Sequence, residues 1–290
     1  MKADRSAPSI VVVGSVNLDM AATVSRLPVP GETVSGAKLR RFPGGKGANQ
    51  ALAARRLGAQ VQLVARVGKD AEADAALALL RAEGVDLSLC LYDDSLPTGI
   101  ALIAISTEGE NQIVVAPGAN RAMRPETLEL PQADALMCQL EVPTDTLCLA
   151  CDRFDGFFCV NLAPAMYVPE EILRRADLVV VNETEEAFYG DKLRACRGMI
   201  AVTHGSAQAI LSKQGKTIAR STPPRVEPVD TTGAGDTFAA ALTIALLEGA
   251  SPQHALDFAC AAGALATTRH GAQSSLPYRE DVEALLLPRT

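Results

Sequence analysis

Five stretches of this chain are predominantly apolar and β-branched, without the clean alternation of a strand that has one wet face. They are IVVVG at 10–14, VQLVARVG at 61–68, ALMCQL at 135–140, LVVVN at 178–182 and MIAVTHG at 199–205. Runs of this kind suit strands buried on both faces of a parallel sheet. Between them lie Ala/Leu/Arg-rich stretches at helical spacing, Asn49 to Leu57, Ala71 to Glu83 and Phe238 to Leu247, each with a glycine near an end. The alternation predicts an α/β fold with helices on both sheet faces. No internal repeat is visible.

Two segments break that alternation, 20–42 with LPVPGETVSGAKLRRF and 96–115 with LPTGIALIAISTEGENQIVV. The second reads as a hairpin turning at Thr107-Glu108-Gly109-Glu110-Asn111. Together they predict a small sheet projecting from a single domain over 1–290, either a lid over a site or a plain surface hairpin.

The balance of 48% hydrophobic and 21% charged residues is that of a soluble chain able to bury a large core. A formal charge of −7 with no basic run leaves no footprint for nucleic acid or an anionic membrane, so any phosphate site must be local. The polar start MKADRSAPS precedes an apolar run too short for a secretion signal, and no stretch approaches the ~20 residues of a membrane span. A cytoplasmic protein is expected. The 7 cysteines show no framework spacing and read as reduced thiols. Cys148 and Cys151 form a C-x-x-C, but within an apolar helical LCLAC, which favours a buried structural pair over a metal or redox site.

The strongest local signal is Val229-Asp230-Thr231-Thr232-Gly233-Ala234-Gly235-Asp236-Thr237-Phe238 at the start of an apolar helical run. Gly-Ala-Gly before a helix lets backbone N–H groups converge at the positive end of the helix dipole, which makes an anion hole. Asp236 there is either the helix N-cap or a base that takes a proton from an attacking hydroxyl while the amides hold a phosphoryl group. A second cluster, Phe42-Pro43-Gly44-Gly45-Lys46-Gly47-Ala48-Asn49-Gln50, also opens a helix and fits neither a Walker A loop nor G-x-G-x-x-G. Lys46 and Asn49 offer donors to a polyhydroxylated ligand, or the cluster is only a tight strand-to-helix turn. Asn17 and Asp19 follow the first strand, where open α/β sheets bind ligands.

With GGKGAN at 44–49 and DTTGAGDTF at 230–238, the chain resembles the ribokinase family of carbohydrate kinases from about residue 10 onward. PGETV at 30–34, GEN at 109–111, NLAPA at 161–165, NETE at 182–185 and GAQSSLP at 271–277 add to the likeness. The resemblance implies a ribokinase-like three-layer sandwich with a central, mostly parallel sheet and a small β-sheet lid. It implies that Asp236 is the catalytic base and that Gly233, Ala234 and Gly235 form the anion hole. Asn17, Asp19, Gly45, Lys46, Asn49 and Glu141 would bind sugar hydroxyls, and Asn182 and Glu185 would organise magnesium and phosphates. Thr203, Gly205, Gly235, Asn182 and Cys260 fall where ATP binds. A monovalent cation, usually potassium, would sit among oxygens of Asp230, Thr232, Ala266, Arg269, Gly271 and Ser275.

The chain departs from the family pattern between Asn182 and Thr203, where a surface helix should be shortened or lost. Cys260 stands where a polar residue is common, which puts that nucleotide contact in doubt, and His204 reads as a bystander. The expected reaction is ATP-dependent phosphorylation of a primary sugar hydroxyl, D-ribose first, in a homodimeric enzyme. Asp19 and Glu141 would repel a phosphorylated sugar, and 4% aromatics leave little to stack a nucleoside base. The alternatives are a fructokinase, another sugar kinase or a nucleoside kinase of this family, and, in a different class, a sugar-binding relative without turnover.

Overall fold

The computed structural model describes residues 7–108 and 110–287; Gly109, placed by sequence in the hairpin turn, lies outside the described residues. In chain order the strands are β1 (Ser9–Val13), β2 (Asn17–Val24), β3 (Lys38–Gly44), β4 (Gln60–Gly68), β5 (Cys90–Asp93), β6 (Gly99–Ser106), β7 (Asn111–Ala116), β8 (Ala135–Gln139), β9 (Phe157–Asn161), β10 (Leu178–Asn182), β11 (Met199–Thr203), β12 (Ala209–Lys213) and β13 (Lys216–Ser221). The helices are α1 (Lys46–Arg56), α2 (Ala71–Ala82), α3 (Thr144–Arg153), α4 (Glu170–Arg175), α5 (Glu183–Tyr189), α6 (Ala234–Leu247), α7 (Pro252–Ala266), α8 (Ala272–Ser275) and α9 (Arg279–Leu286).

Among the described residues the large sheet has 9 strands in the order β13-β12-β11-β10-β9-β8-β1-β4-β5. It is parallel from β11 to β5 and antiparallel at β11–β12 and β12–β13. The apolar runs lack alternation because each of their faces meets a separate core. In β1, Ile10 and Val12 pack with residues of α1, α2, α6 and α7, whereas Val11 and Val13 pack with residues of α3 and α4. That is the expected helix–sheet–helix sandwich.

The smaller sheet has the order β3-β2-β6-β7, with β2 and β6 parallel and the other pairs antiparallel. It begins at Asn17 rather than near residue 20, and 25–37 contribute no strand. Helices α1 and α6 start at Lys46 and Ala234, earlier than the apolar periodicity indicates, because their first turns are built from the two glycine clusters. Between β10 and β11 the connection holds only the short α5 and a 3-10 turn at Gly190–Ala195. All 7 cysteines are free thiols. On α3 Cys151 is buried and its Sγ contacts the Cys148 carbonyl at 3.2 Å, while Cys148 is half-buried. Among the described residues no cluster of three His, Cys, Asp or Glu could hold a metal, and no helix is long and apolar enough to cross a membrane.

Candidate active site

The first glycine cluster folds the way it does because α1 must begin against the chain that leaves β1. Gly45 is the N-cap of α1 with φ +89°, and a Cβ on it would fall 2.7–2.8 Å from backbone atoms of Asn17, Ser15 and Val16. Glycine is the residue that meets both demands. No side chain of the cluster caps the helix; Glu141, just beyond β8, does so instead. Its carboxylate accepts from the Lys46 N–H at 3.1 Å and from the Ser15 hydroxyl, which places negative charge at the positive end of α1.

The alternation of the small sheet aims one of its faces at the same spot. Asn17 and Asp19 of β2, Ala101 and Ile103 of β6, and Ile113 and Val115 of β7 all line a cleft of about 540 Å³. Gly45, Lys46, Asn49, Glu141 and Asp236 line it too, so every residue assigned by resemblance to the sugar is gathered there. Asn17 is held by Asn120, whose Nδ2 donates to its Oδ1 at 2.8 Å. The Asp19 carboxylate has no hydrogen-bonding partner among the described residues, although the residue is buried.

The second glycine cluster supplies the opposite wall. Gly233, at φ +82°, is the N-cap of α6, and Asp236 is its third residue. Asp236 is therefore not the cap, and capping does not explain its presence. The Ala234 N–H makes a long 3.3 Å bond to the Thr231 carbonyl, while the N–H groups of Gly233, Gly235 and Asp236 have no backbone acceptor among the described residues. Such orphan donors at a helix start favour an anion. The Asp236 carboxylate accepts from Asn49 Nδ2 at 2.9 Å and from Gln50 Nε2 at 3.1 Å.

The charges of the site are coupled. Burial pushes Asp236 above the ordinary carboxylate value; Lys46 and the Asn49 and Gln50 donors pull the other way, and Glu141 adds to the rise. Burial, reinforced by Glu141, Asp236 and Asp230, takes Asp19 to about 7. For Lys46 burial works against the ammonium, but Asp236, Glu141, Glu185 and Asp19 outweigh it and the group stays charged. A half-buried cation among four carboxylates suits a neutral ligand rich in hydroxyls.

A second cleft of about 560 Å³ opens on the other side of α6. Thr203, Gly205, Gly235 and Cys260 line it with Phe238, Gly263 and Ala264; Thr203, Thr231 and Gly235 belong to both clefts. The Cys260 thiol is 2% exposed and burial lifts it to about 11, so it offers sulfur and not charge. His204 contacts the Gln208 carbonyl at 3.0 Å and lines neither cleft.

Asn182 and Glu185 form a capping box on α5: Asn182 Oδ1 accepts from the Glu185 N–H at 2.8 Å, and Glu185 Oε2 from the Asn182 N–H at 2.9 Å. Both still line the first cleft, and Oε1 of Glu185 has no protein donor among the described residues. A spare hard oxygen beside a phosphate site fits magnesium.

Asp230 draws in two more residues of the cation set. Its Oδ1 accepts from the N–H and hydroxyl of Thr232 at 3.0 and 2.7 Å, and its Oδ2 from the Gly271 N–H at 2.9 Å. Burial opposes its charge, but these donors prevail and hold it below its ordinary value. Among the described residues no backbone N–H claims the carbonyls of Ala266 and Arg269, where α7 has ended. Free carbonyl oxygens near an ionised carboxylate fit a hard monovalent cation. Ser275 is buried on α8, and its hydroxyl donates to the Ala272 carbonyl at 2.8 Å.

Sequence reasoning missed Gln50, Asn161 and the apolar roof of Ala101, Ile103, Ile113 and Val115. Alternation along the hairpin was the available signal for the roof; no local signal exists for Gln50.

A model of the pfkB family of carbohydrate kinases matches residues 7–279. The chain belongs to the pfkB family of carbohydrate kinases. Among its pfkB relatives, a ribokinase of Bacillus subtilis is 38% identical, over 96% of this chain and 99% of the relative. The crystal structure of a ribokinase from Thermotoga maritima superposes with a TM-score of 0.88 at 35% identity, covering 96% of this chain and 99% of that one. An Arabidopsis thaliana ribokinase complexed with ribose and ATP gives a TM-score of 0.86 at 30% identity, covering 97% and 99%. At these TM-scores the two solved ribokinases share the overall fold of this chain.

Proposed function

We propose that this sugar kinase transfers the γ-phosphoryl group of ATP to the primary hydroxyl of D-ribose, giving D-ribose 5-phosphate and ADP. The observation that carries this reading is that Asp236 and the open N–H groups of the α6 start stand where the two clefts join. A hydroxyl delivered from one side and a triphosphate from the other meet there in reach of both a proton acceptor and an anion hole. The hydroxyl proton passes to Asp236, the sugar oxygen bonds to the γ-phosphorus, and the bridging P–O bond to ADP breaks.

Asn17, Asp19, Gly45, Lys46, Asn49 and Glu141 hold the remaining hydroxyls and orient the sugar. The amides of Gly233, Ala234 and Gly235 receive the transferring group. Asn182, Thr203, Gly205, Gly235 and Cys260 contact the nucleotide. Asn182 and Glu185 hold magnesium, which supplies charge neutralisation when bound with ATP. Oxygens of Asp230, Thr232, Ala266, Arg269, Gly271 and Ser275 hold a monovalent cation, potassium by preference, which steadies the loop before α6. The small sheet acts as a lid, and its far face, with Leu39, Leu102 and Val114 exposed, is the contact of a homodimer. The enzyme works in the cytoplasm.

Support for ribose comes from the ribose and ATP complex of the Arabidopsis relative and from Asp19 and Glu141 in the cleft, whose carboxylates disfavour a phosphorylated sugar. The test is ADP release with ribose, fructose and adenosine, in potassium, sodium and cation-free buffer. Ribose is expected to lead by at least about tenfold in kcat/KM, with potassium best. A lead for fructose or adenosine would overturn the substrate, and full activity without potassium or ammonium would overturn the cation.

A further inference from the structure

Asp236 is gripped from behind by a side chain that lies outside the cleft lining. Gln50 is fully buried and does not line the cleft, yet its Nε2 donates to Asp236 Oδ1 at 3.1 Å. Asn49, its neighbour on α1, binds the other oxygen from within the cleft. The terminal torsion of an aspartate is broad and nearly two-fold, so a donor on each oxygen removes the freedom that would matter most to a base.

Gln50 is itself aimed. Gln139 of β8 donates from Nε2 to Gln50 Oε1 at 2.6 Å, and Gln50 Nε2 also faces Asn161 Oδ1 at 3.4 Å. Asn161 of β9 is oriented in turn by donating to the Val180 carbonyl at 3.2 Å. Rotating the Gln50 amide by half a turn would set its oxygen against the Asp236 carboxylate and its NH₂ against that of Gln139. Gln139 is fully buried, and a Cβ on Gly14 would come within 2.1 Å of its Oε1, so glycine is needed there to admit the amide. That Oε1 has no partner among the described residues. A polar chain tolerated at that desolvation cost needs a reason beyond packing.

We propose that Gln50, aimed by Gln139 and Asn161, is a positioning residue for phosphoryl transfer, fixing the Asp236 carboxylate toward the sugar hydroxyl without supplying charge. A neutral donor suits the task, since a cation behind the base would lower its basicity. The inference rests on Asp236 being the base.

The test compares Gln50→Leu, Gln139→Leu and the double variant with the parent. Gln50→Leu is expected to lower kcat by about 10–100-fold while KM for ribose and ATP changes less than about threefold. Gln139→Leu should fall in the same direction by less, and should add nothing in the Gln50→Leu background. Losing a donor to the charged base should also move the acid limb of kcat to higher pH; Lys46, Asp19, Glu141 and Glu185 face the same site and remain in all variants. If Gln50→Leu does not fold, the isosteric Gln50→Glu carries the test, with lowered kcat and an acid limb shifted up by like charge.

A kcat within about threefold of the parent with an unmoved acid limb, or fully additive variants, overturns the inference. Asp236→Asn separates the two failures. An active Asp236→Asn removes the base reading, whereas an inactive one beside an unimpaired Gln50→Leu removes only the positioning role.

Discussion

The two clefts that meet at the start of α6 are nearly equal in size and opposite in lining. The one under the small sheet is walled by Asp19, Lys46, Asn49, Glu141, Glu185 and Asp236, all side chains that carry charge or an amide. The other is walled largely by Pro223, Pro224, Phe238, Cys260, Gly263 and Ala264, with Arg225 and Glu227 as its charged members. A ligand in the first is read by side chains and should respond sharply to single substitutions. A ligand in the second is read by shape, and it should tolerate them.

The sharpest break in that contrast would come from Asp236→Asn, which keeps the side chain's shape and removes proton acceptance. Turnover should drop by about 10²–10⁴-fold with ATP binding retained, measured as kcat beside nucleotide affinity by calorimetry. A fall under threefold would mean the charged cleft does not hold the base.

Asp19→Asn should divide binding from stability. The Asp19 carboxylate lacks a hydrogen-bonding partner among the described residues, so its hydrogen bonds are left for the sugar, and KM for ribose should rise by about 10–100-fold. Its carboxyl is raised from 3.8 to about 7, so between those values the folded state holds a proton that the unfolded chain releases. Stability contributed by this group therefore falls as pH rises through that window. The variant should melt several degrees above the parent near pH 8 and alongside it near pH 4, read as Tm. Equal melting at both values would show that the burial of Asp19 is not opposed by its charge.

The smallest effect belongs to the other cleft. Cys260→Ala removes a buried neutral sulfur, and KM for ATP should change by less than about threefold, with KM for ribose unchanged. A tenfold rise would show that Cys260 reads the base, and the contrast between the clefts would weaken accordingly.

Much of this was legible in the residues alone. β1, β4, β8, β10 and β11 were readable because strands covered on both faces must be apolar throughout. The antiparallel pair β12–β13, with Lys213 and Lys216 at its turn, was not, since an edge pair needs no such run. β9 was missed as well, a run of five residues that is helical or extended only by virtue of its neighbours.

The chain by itself determined the chemistry available: two glycine clusters opening helices, an aspartate beside one of them, and donors beside the other. These follow from local backbone needs, since positive φ at Gly45 and Gly233 excludes most other residues. Tertiary structure alone decided that Asp236 stands at the third helical position, that Glu141 caps α1 from just beyond β8, and that Gln50 turns inward to the carboxylate. Those contacts join residues 95 to 186 positions apart. No local preference encodes such pairings, because they exist only once α1 and α6 pack on the same face of the sheet.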